Sequence, residues 1–229
     1  AGDLTQYLRQ QTQRTLRLDG PVSLSVFPRP SLHLPAATLS EPRSDGEFLR
    51  VAHAELRLRL GPLLSRRVVA ESVELHGARI ALRRQRNGAL NVDDLIALAR
   101  SDGDDAPPVS VDLRRLVVQD AAVAWQDDTS GRRLDLTELA VRTDRLAAQA
   151  DGQLALSGHL RSEAAALDAD IHLTGDYRLD AGSGRHALRH VQLAALGTWV
   201  GRGGLEVSTR IDELDSDEIG RASCRERVS

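Results

Sequence analysis

The sequence predicts a mainly β protein: an antiparallel, curved, groove-like sheet of repeating units, with an N-terminal helix and a few further short helices. Three observations carry this expectation. Apolar residues recur with a period of two along most of the chain, as strands with one buried face require. A unit of strand, bend, strand, turn, strand and short helix is complete between Val73 and Leu95 and recurs 43 positions later. Strands also far outnumber helices, so helices cannot cover a whole sheet face. That face must close on itself, pack against a second sheet, or hold an apolar ligand.

Taken in order, Asp3 is placed to cap a helix through Leu4, Tyr7, Leu8, Gln11 and Thr15, where apolar residues fall three and four apart. Strands follow at Thr15–Leu18 and Val22–Phe27, divided by Asp19-Gly20-Pro21. Pro28 and Pro30 force a non-helical turn before strands at Ser31–Leu34 and Ala37–Leu39. After the polar loop Glu41–Glu47, Phe48 to Leu60 reads as one alternating strand. Ala54, Leu56, Leu58 and Leu60 lie on one side of it, and Glu55, Arg57 and Arg59 on the other. Gly61-Pro62 ends it, and Leu63–Arg67 has room for one helical turn.

The central unit places Val73, Leu75, Ile80 and Leu82 around a bend at Gly77. Asn87-Gly88 forms its turn, because both residue types tolerate positive φ. Leu90 and Val92 resume the apolar face, and Asn91 or Asp93 can cap a helix through Leu95, Ile96 and Leu98. A shift of 43 lays Val73 on Leu116, Leu75 on Val118, Ile80 on Val123, Leu82 on Trp125 and Gly88 on Gly131. Fainter echoes lie at Leu16–Val26 and at 154–179. The second copy opens with Val109, Val111 and Leu113, and Arg114-Arg115 suggests a bulge. Later strands are expected near Gly152–Arg161, Ala166–Leu179, Ala187–Ala194 and Gly204–Ile211, as antiparallel neighbours joined by short turns.

The organisation expected is a β region with a helical cap at 1–100, a loop at 101–108 and continuing β repeats at 109–215, all one architecture. Residues 216–229 break the pattern and resemble a vector-derived tail, so they are set aside and the natural protein is expected to continue past Asp215. Without that tail, which holds Cys224, no cysteine chemistry remains. A content of 41% hydrophobic and 28% charged residues suits a globular chain rather than a disordered one. A net charge of −3 supplies no electrostatic footprint for nucleic acid. Every basic residue is an arginine, and the clusters Arg83-Arg84-Arg86 and Arg132-Arg133 read as solvated turn charge. No apolar run is long enough to span a bilayer.

Chemistry-bearing constellations are few. Asp93-Asp94, Asp104-Asp105 and Asp127-Asp128 lack the oxygen spacing of a calcium loop and stand near no histidine at zinc-ligand spacing. Helix capping accounts for the first pair and turn solvation for the others. The histidines at 33, 53, 76, 159, 172, 186 and 190 are scattered singly, and no Ser-His-Asp arrangement can be nominated. The glycines at 77, 152, 158 and 175 read as bends, not as a phosphate loop. We therefore expect no catalytic residue, metal or cofactor. The candidate site is a row of aliphatic side chains: Leu56, Leu58, Leu60, Val73, Leu75, Ile80, Leu82, Val118, Val123 and Trp125. Each side chain contributes about 1.5–3 kcal/mol when buried. The alternative is that these residues form an ordinary closed core.

From Leu16 to Leu95 the order of features resembles the N-terminal region of the AsmA family of Gram-negative envelope proteins. The matching segments are RTLRLDGPVSLSVFPRPSLHLPAATLSEP with its Phe27-Pro28 corner, FLRVAHAELRLRLGPLL with the Gly61-Pro62-Leu63-Leu64 step, and VVAESVELHGARIALRRQRNGALNVDDL. The last carries an Asn-x-Asp-Asp-Leu pattern at Asn91–Leu95. The resemblance implies a periplasmic body held at the inner membrane by an N-terminal helix, and a long curved sheet whose apolar groove is similar to that of bridge-like lipid transporters. The implied role is non-catalytic: phospholipid transport or homeostasis between the two membranes, with effects on outer-membrane assembly. Set against the family pattern, the anchor is expected to precede Ala1 and the C-terminal part to lie beyond the end of this chain. A second expectation is a structural β-scaffold that binds envelope proteins through its edge strands without carrying lipid.

Overall fold

A computed structural model describes residues 2–27, 29–59, 69–99, 110–145, 149–180, 185–199, 202–216 and 222–226. Helix α1 (Gly2–Thr12) leads into short strands β1 (Leu16–Leu18), β2 (Ser23–Ser25), β3 (Ser31–Leu34), β4 (Ala37–Ser40), β5 (Glu47–Val51) and β6 (His53–Leu58). Then come β7 (Val69–His76), β8 (Arg79–Arg84) and the seven-residue helix α2 (Asp93–Ala99). Longer strands complete the chain: β9 (Ser110–Asp127), β10 (Arg133–Thr143), β11 (Gln149–Ser162), β12 (Leu167–Asp180), β13 (Arg185–Trp199) and β14 (Arg202–Ser216), with β15 (Ala222–Glu226) last. The fifteen strands among the described residues form one curved sheet that does not close.

From β9 to β15 the sheet is a meander in which each strand is antiparallel to the one before. On its other side β9 borders two ribbons. Its first half pairs with β7 and its second half with β8, both in parallel. The ribbons then continue antiparallel, β7 to β6, β3 and β2, and β8 to β5, β4 and β1. This parallel seam is the exception to the antiparallel arrangement expected from sequence. It follows from the connection: two parallel strands cannot be joined by a tight hairpin, and the chain between β8 and β9 carries α2.

The seam also explains the repeat. Val73 pairs with Leu116, Leu75 with Val118, Ile80 with Val123 and Leu82 with Trp125, so the shift that aligns the two copies is the register in which they lie side by side. The disturbance expected at Arg114-Arg115 is present, since pairing steps from Ala70↔Val111 to Ser72↔Arg115. The bends coincide too, with Gly77 at φ 62° and its counterpart Asp120 at φ 50°. Aspartate tolerates the left-handed region, but at position 77 a Cβ would stand 2.8 Å from that of Ala52, so glycine is required.

Ala52 itself splits the single strand expected at Phe48–Leu60 into β5 and β6, and its N–H turns to the carbonyl of His76 at 3.0 Å. The reading of Gly152, Gly158 and Gly175 as bends needs correction, because all three lie inside continuous strands. For Gly158 and Gly175 a partner strand does the bulging. Glu138 (φ 52°) opposes Gly158, and His190 (φ 50°) opposes Gly175; a Cβ on either glycine would crowd the carbonyl of Thr137 or Arg189. Gly152 leaves room for the ring of Tyr177. Ala222–Glu226, set aside from the fold on pattern, pairs with β14, because main-chain pairing on an open edge needs no side-chain pattern. Leu60, Leu63–Arg67, Asp104-Asp105 and the 101–108 loop lie outside the described residues.

The helical cap is locked by a buried arginine. Arg14, fully buried, donates from Nε and Nη2 to the two carboxylate oxygens of Asp94 at 2.6 and 2.7 Å, from Nη1 to the Ser40 carbonyl at 2.9 Å, and from Nη2 to the Asn91 carbonyl. Its guanidinium lies 4.4 Å from the centre of the Phe48 ring, a cation–π stack. Asn91 does not cap α2. Its side chain accepts the Arg83 N–H at 2.9 Å and donates to the Ala81 carbonyl at 2.8 Å and to Glu41 at 2.6 Å, so it satisfies the backbone of β8 as a neighbouring strand would. Asp93 accepts the Leu90 N–H at 2.8 Å, bracing the turn before α2. Burial pushes the Asp94 carboxyl up, but the hydrogen bonds and charge of Arg14, with backbone N–H groups of Leu95 and Asp94, hold it below the usual carboxylate range.

Candidate functional site: the aliphatic face of the sheet

Because directly opposed residues in a sheet share a face, the registers can be followed from strand to strand. One row passes through Leu34, Ala54, Leu75, Val118, Val141, Leu156, Leu173 and Leu193, each paired with the next. A second passes through Leu16, Leu39, Leu49, Ile80, Val123, Leu136, Leu160, Ala169, Gly197 and Leu205. Neither is interrupted by a charged residue. At the strand spacing of a sheet the second row runs for roughly 40 Å. Both lie on one face: Val118, Val141 and Leu156 from the first, and Val123 and Leu136 from the second, pack on the same buried cluster of Ala78, Ala121 and Leu139. The bends at Gly77, Asp120 and Glu138 make this possible, because one extra residue restores the face that a spacing of five would otherwise reverse.

All nine described candidates from the sequence belong to this face. Leu56 pairs with Val73, Leu75 with Val118, Ile80 with Val123, Leu82 with Trp125, and Leu58, only 6% exposed, with Ala70. Sequence reading missed the continuation through Val141, Leu156, Leu173 and Leu193, and through Leu136 and Leu160. Alternation within β10 to β13 was visible, but only the register joins those strands to the rows. Apart from Leu39, Ala54 and Ala169, the row residues are half-buried, so the apolar surface stays within reach of solvent. Thr143 and Tyr177 add buried hydroxyls to this face that have no hydrogen-bond partner among the described residues.

The opposite face is charged. On β11 and β12 it carries His159 and Arg161 against Asp168 and Asp170. His159 Nδ1 lies 2.8 Å from Asp170 and its Nε2 2.9 Å from Asp168, while Arg161 bonds Asp168 at 2.9 Å. The hydrogen bond to Asp170 and both carboxylates raise the His159 pKa above its ordinary value, against burial and Arg161. Arg178–Asp151 at 2.5 Å and His190–Asp176 at 2.8 Å continue the pattern. A depression of about 580 Å³ lies among Arg114, Arg142, Asp144, Thr174, Asp176 and His190. Its polar groups largely serve the fold: Arg114 pairs with Glu71, Asp176 with His190, and Asp144 accepts the Gln153 N–H. Two of the turn arginines are paired with carboxylates, Arg83 with Asp128 at 2.7 Å and Arg133 with Asp135 at 3.1 Å. Among the described residues no cluster of three or more His, Cys, Asp or Glu could hold a metal ion. No described helix is long and apolar enough to cross a membrane, which says nothing about a β-barrel.

These features define an extended, open β-sheet protein with one continuous aliphatic face and one charged face. The chain belongs to the AsmA family, whose model matches residues 2–193. The match therefore reaches through β11 and β12 and into β13, well past the Leu16–Leu95 segment in which the resemblance can be read. The family is envelope-associated, which suggests an envelope or lipid-related role. No curated protein matches the chain.

Proposed function

We propose that this chain is part of a non-catalytic protein of the periplasm, attached to the inner membrane, that carries phospholipid along its aliphatic face in transport or homeostasis between the two membranes and so supports outer-membrane assembly. One observation carries the reading: two aliphatic rows cross the sheet in register without a charge between them. Such a track suits acyl chains, which need continuous apolar contact and no directional partner, and the transfer is driven by apolar area removed from water. It also suits movement, because successive positions along a row are chemically alike and no single one is a trap.

The test is native mass spectrometry of the full chain, expressed with an export signal in a Gram-negative host and purified without detergent. A discrete phospholipid mass that survives desalting is the expected result. A well-folded, lipid-free monomer would instead favour the scaffold reading. That second reading has its own support in the pairing of β15 with β14, in which the far edge of the sheet accepts an added strand.

A further inference from the structure

The tip of the β2–β3 hairpin is the most exposed apolar feature among the described residues: Phe27 is 88% exposed, Val26 66% and Leu24 60%. The chain has only two phenylalanines. Phe48 is buried beneath Arg14, whereas Phe27 stands almost wholly in solvent, held at the turn by a hydrogen bond from Ser25 Oγ to its carbonyl at 3.2 Å. Three apolar side chains exposed together at one hairpin tip form a contiguous patch, and such patches mark interaction sites.

We propose that this tip is a membrane-docking element that inserts Val26 and Phe27 into the headgroup boundary of a phospholipid bilayer. Two further observations favour a bilayer over a protein partner. From Gly20 to Ser40 the chain carries no carboxylate, although it holds 33 overall, and Arg29, two residues on from Phe27 in sequence, is exposed. An apolar point free of negative charge and flanked by a guanidinium fits an anionic lipid surface. Leu24 also pairs with Leu32, Leu32 with Leu56 and Leu56 with Val73, so the aliphatic face runs without a break to the tip. The same hairpin that meets the bilayer therefore begins the apolar track. The link to lipid transfer rests on the function proposed above; the docking itself does not.

The experiment is flotation of the full chain with vesicles of phosphatidylethanolamine containing a minority of phosphatidylglycerol. It compares the wild type with Phe27→Asp and Phe27→Trp, and phospholipid occupancy of each purified protein is measured separately. The wild type and Phe27→Trp float, the new tryptophan emission shifts to the blue on vesicles, and Phe27→Asp loses partitioning by roughly tenfold or more while its melting temperature stays unchanged. Wild-type protein that does not float, or flotation indifferent to Phe27→Asp, overturns the proposal and leaves the tip to a protein contact. Flotation that depends on Phe27 in a protein free of bound lipid upholds docking while the transfer reading fails.

Discussion

Arg14 and Asp94 form a two-point ion pair whose halves differ in exposure: the guanidinium is fully buried, while the carboxylate keeps 26% of its side-chain surface. The pair is therefore expected to respond asymmetrically. Asp94→Ala strands a buried cation and should cost about 3–5 kcal/mol. Arg14→Leu leaves a carboxylate that water can reach, together with two carbonyls short of a donor, and should cost about 1–3 kcal/mol. Denaturant unfolding of both single variants and the double variant measures this, and equal losses from the two single changes would refute the asymmetry. Because the Asp94 pKa is depressed in the folded state, its contribution is present above the ordinary carboxylate value and disappears as pH falls through the folded value.

Leu173 pairs with Leu193 in the aliphatic rows, and its chain neighbour Thr174 faces the other way. Leu173→Arg places a charge in the track and should reduce co-purifying phospholipid by about tenfold. Thr174→Arg, on the face already charged, should leave occupancy unchanged. Lipid extraction and quantification decide between them, and parallel losses in both variants would mean that the rows do not carry the ligand.

The bend at Gly77 combines two constraints that a mutant cycle separates. Gly77→Ala must adopt a positive φ and also meet the Cβ of Ala52 at 2.8 Å, for an expected loss of about 2–4 kcal/mol. In an Ala52→Gly background only the backbone term remains, about 1–2 kcal/mol. Additive losses would show that Ala52 yields at no cost.

His159 sits between Asp168 and Asp170 with its folded pKa raised. Its contribution to stability is accordingly complete below the unfolded histidine value of about 6.5 and fades as pH rises through the higher folded value. Melting curves of wild type and His159→Gln from mildly acidic to mildly alkaline buffer should converge on the alkaline side. A gap independent of pH would remove the charge from the account.

Alternation together with the bend at Gly77 puts Leu75 and Ile80 of the central unit on one face, and the spacing between copies is the register of Ile80 on Val123. That a repeat would lie beside itself in parallel was not legible, because the direction of pairing depends on the route of the chain through α2. Nothing in the sequence around Arg14 distinguishes it. One arginine among 30 basic residues carries no local mark of burial, and its partners Ser40, Asn91 and Asp94 are distant in sequence. In sequence the Asn-x-Asp-Asp-Leu pattern offers Asn91 or Asp93 as a helix cap. Its work as a strand substitute and an ion-pair anchor is tertiary, so no helix-start rule could reveal it. Gly158 and Gly175 misled for a similar reason: each accommodates a bulge on another strand, so the cause of the glycine lies outside its own segment.

The shared register of the rows turns the sheet into a ruler. Each strand that a row crosses adds one rung to that row and lengthens it by about 4.8 Å, whatever its loops or charged residues do. A duplicated hairpin would extend the reach by about twice that distance and leave the surface met by a passing acyl chain unchanged. Length and chemistry are thus independent variables in this architecture. Evolution can adjust the span between two surfaces by counting strands, provided that each new bulge brings its glycine with it.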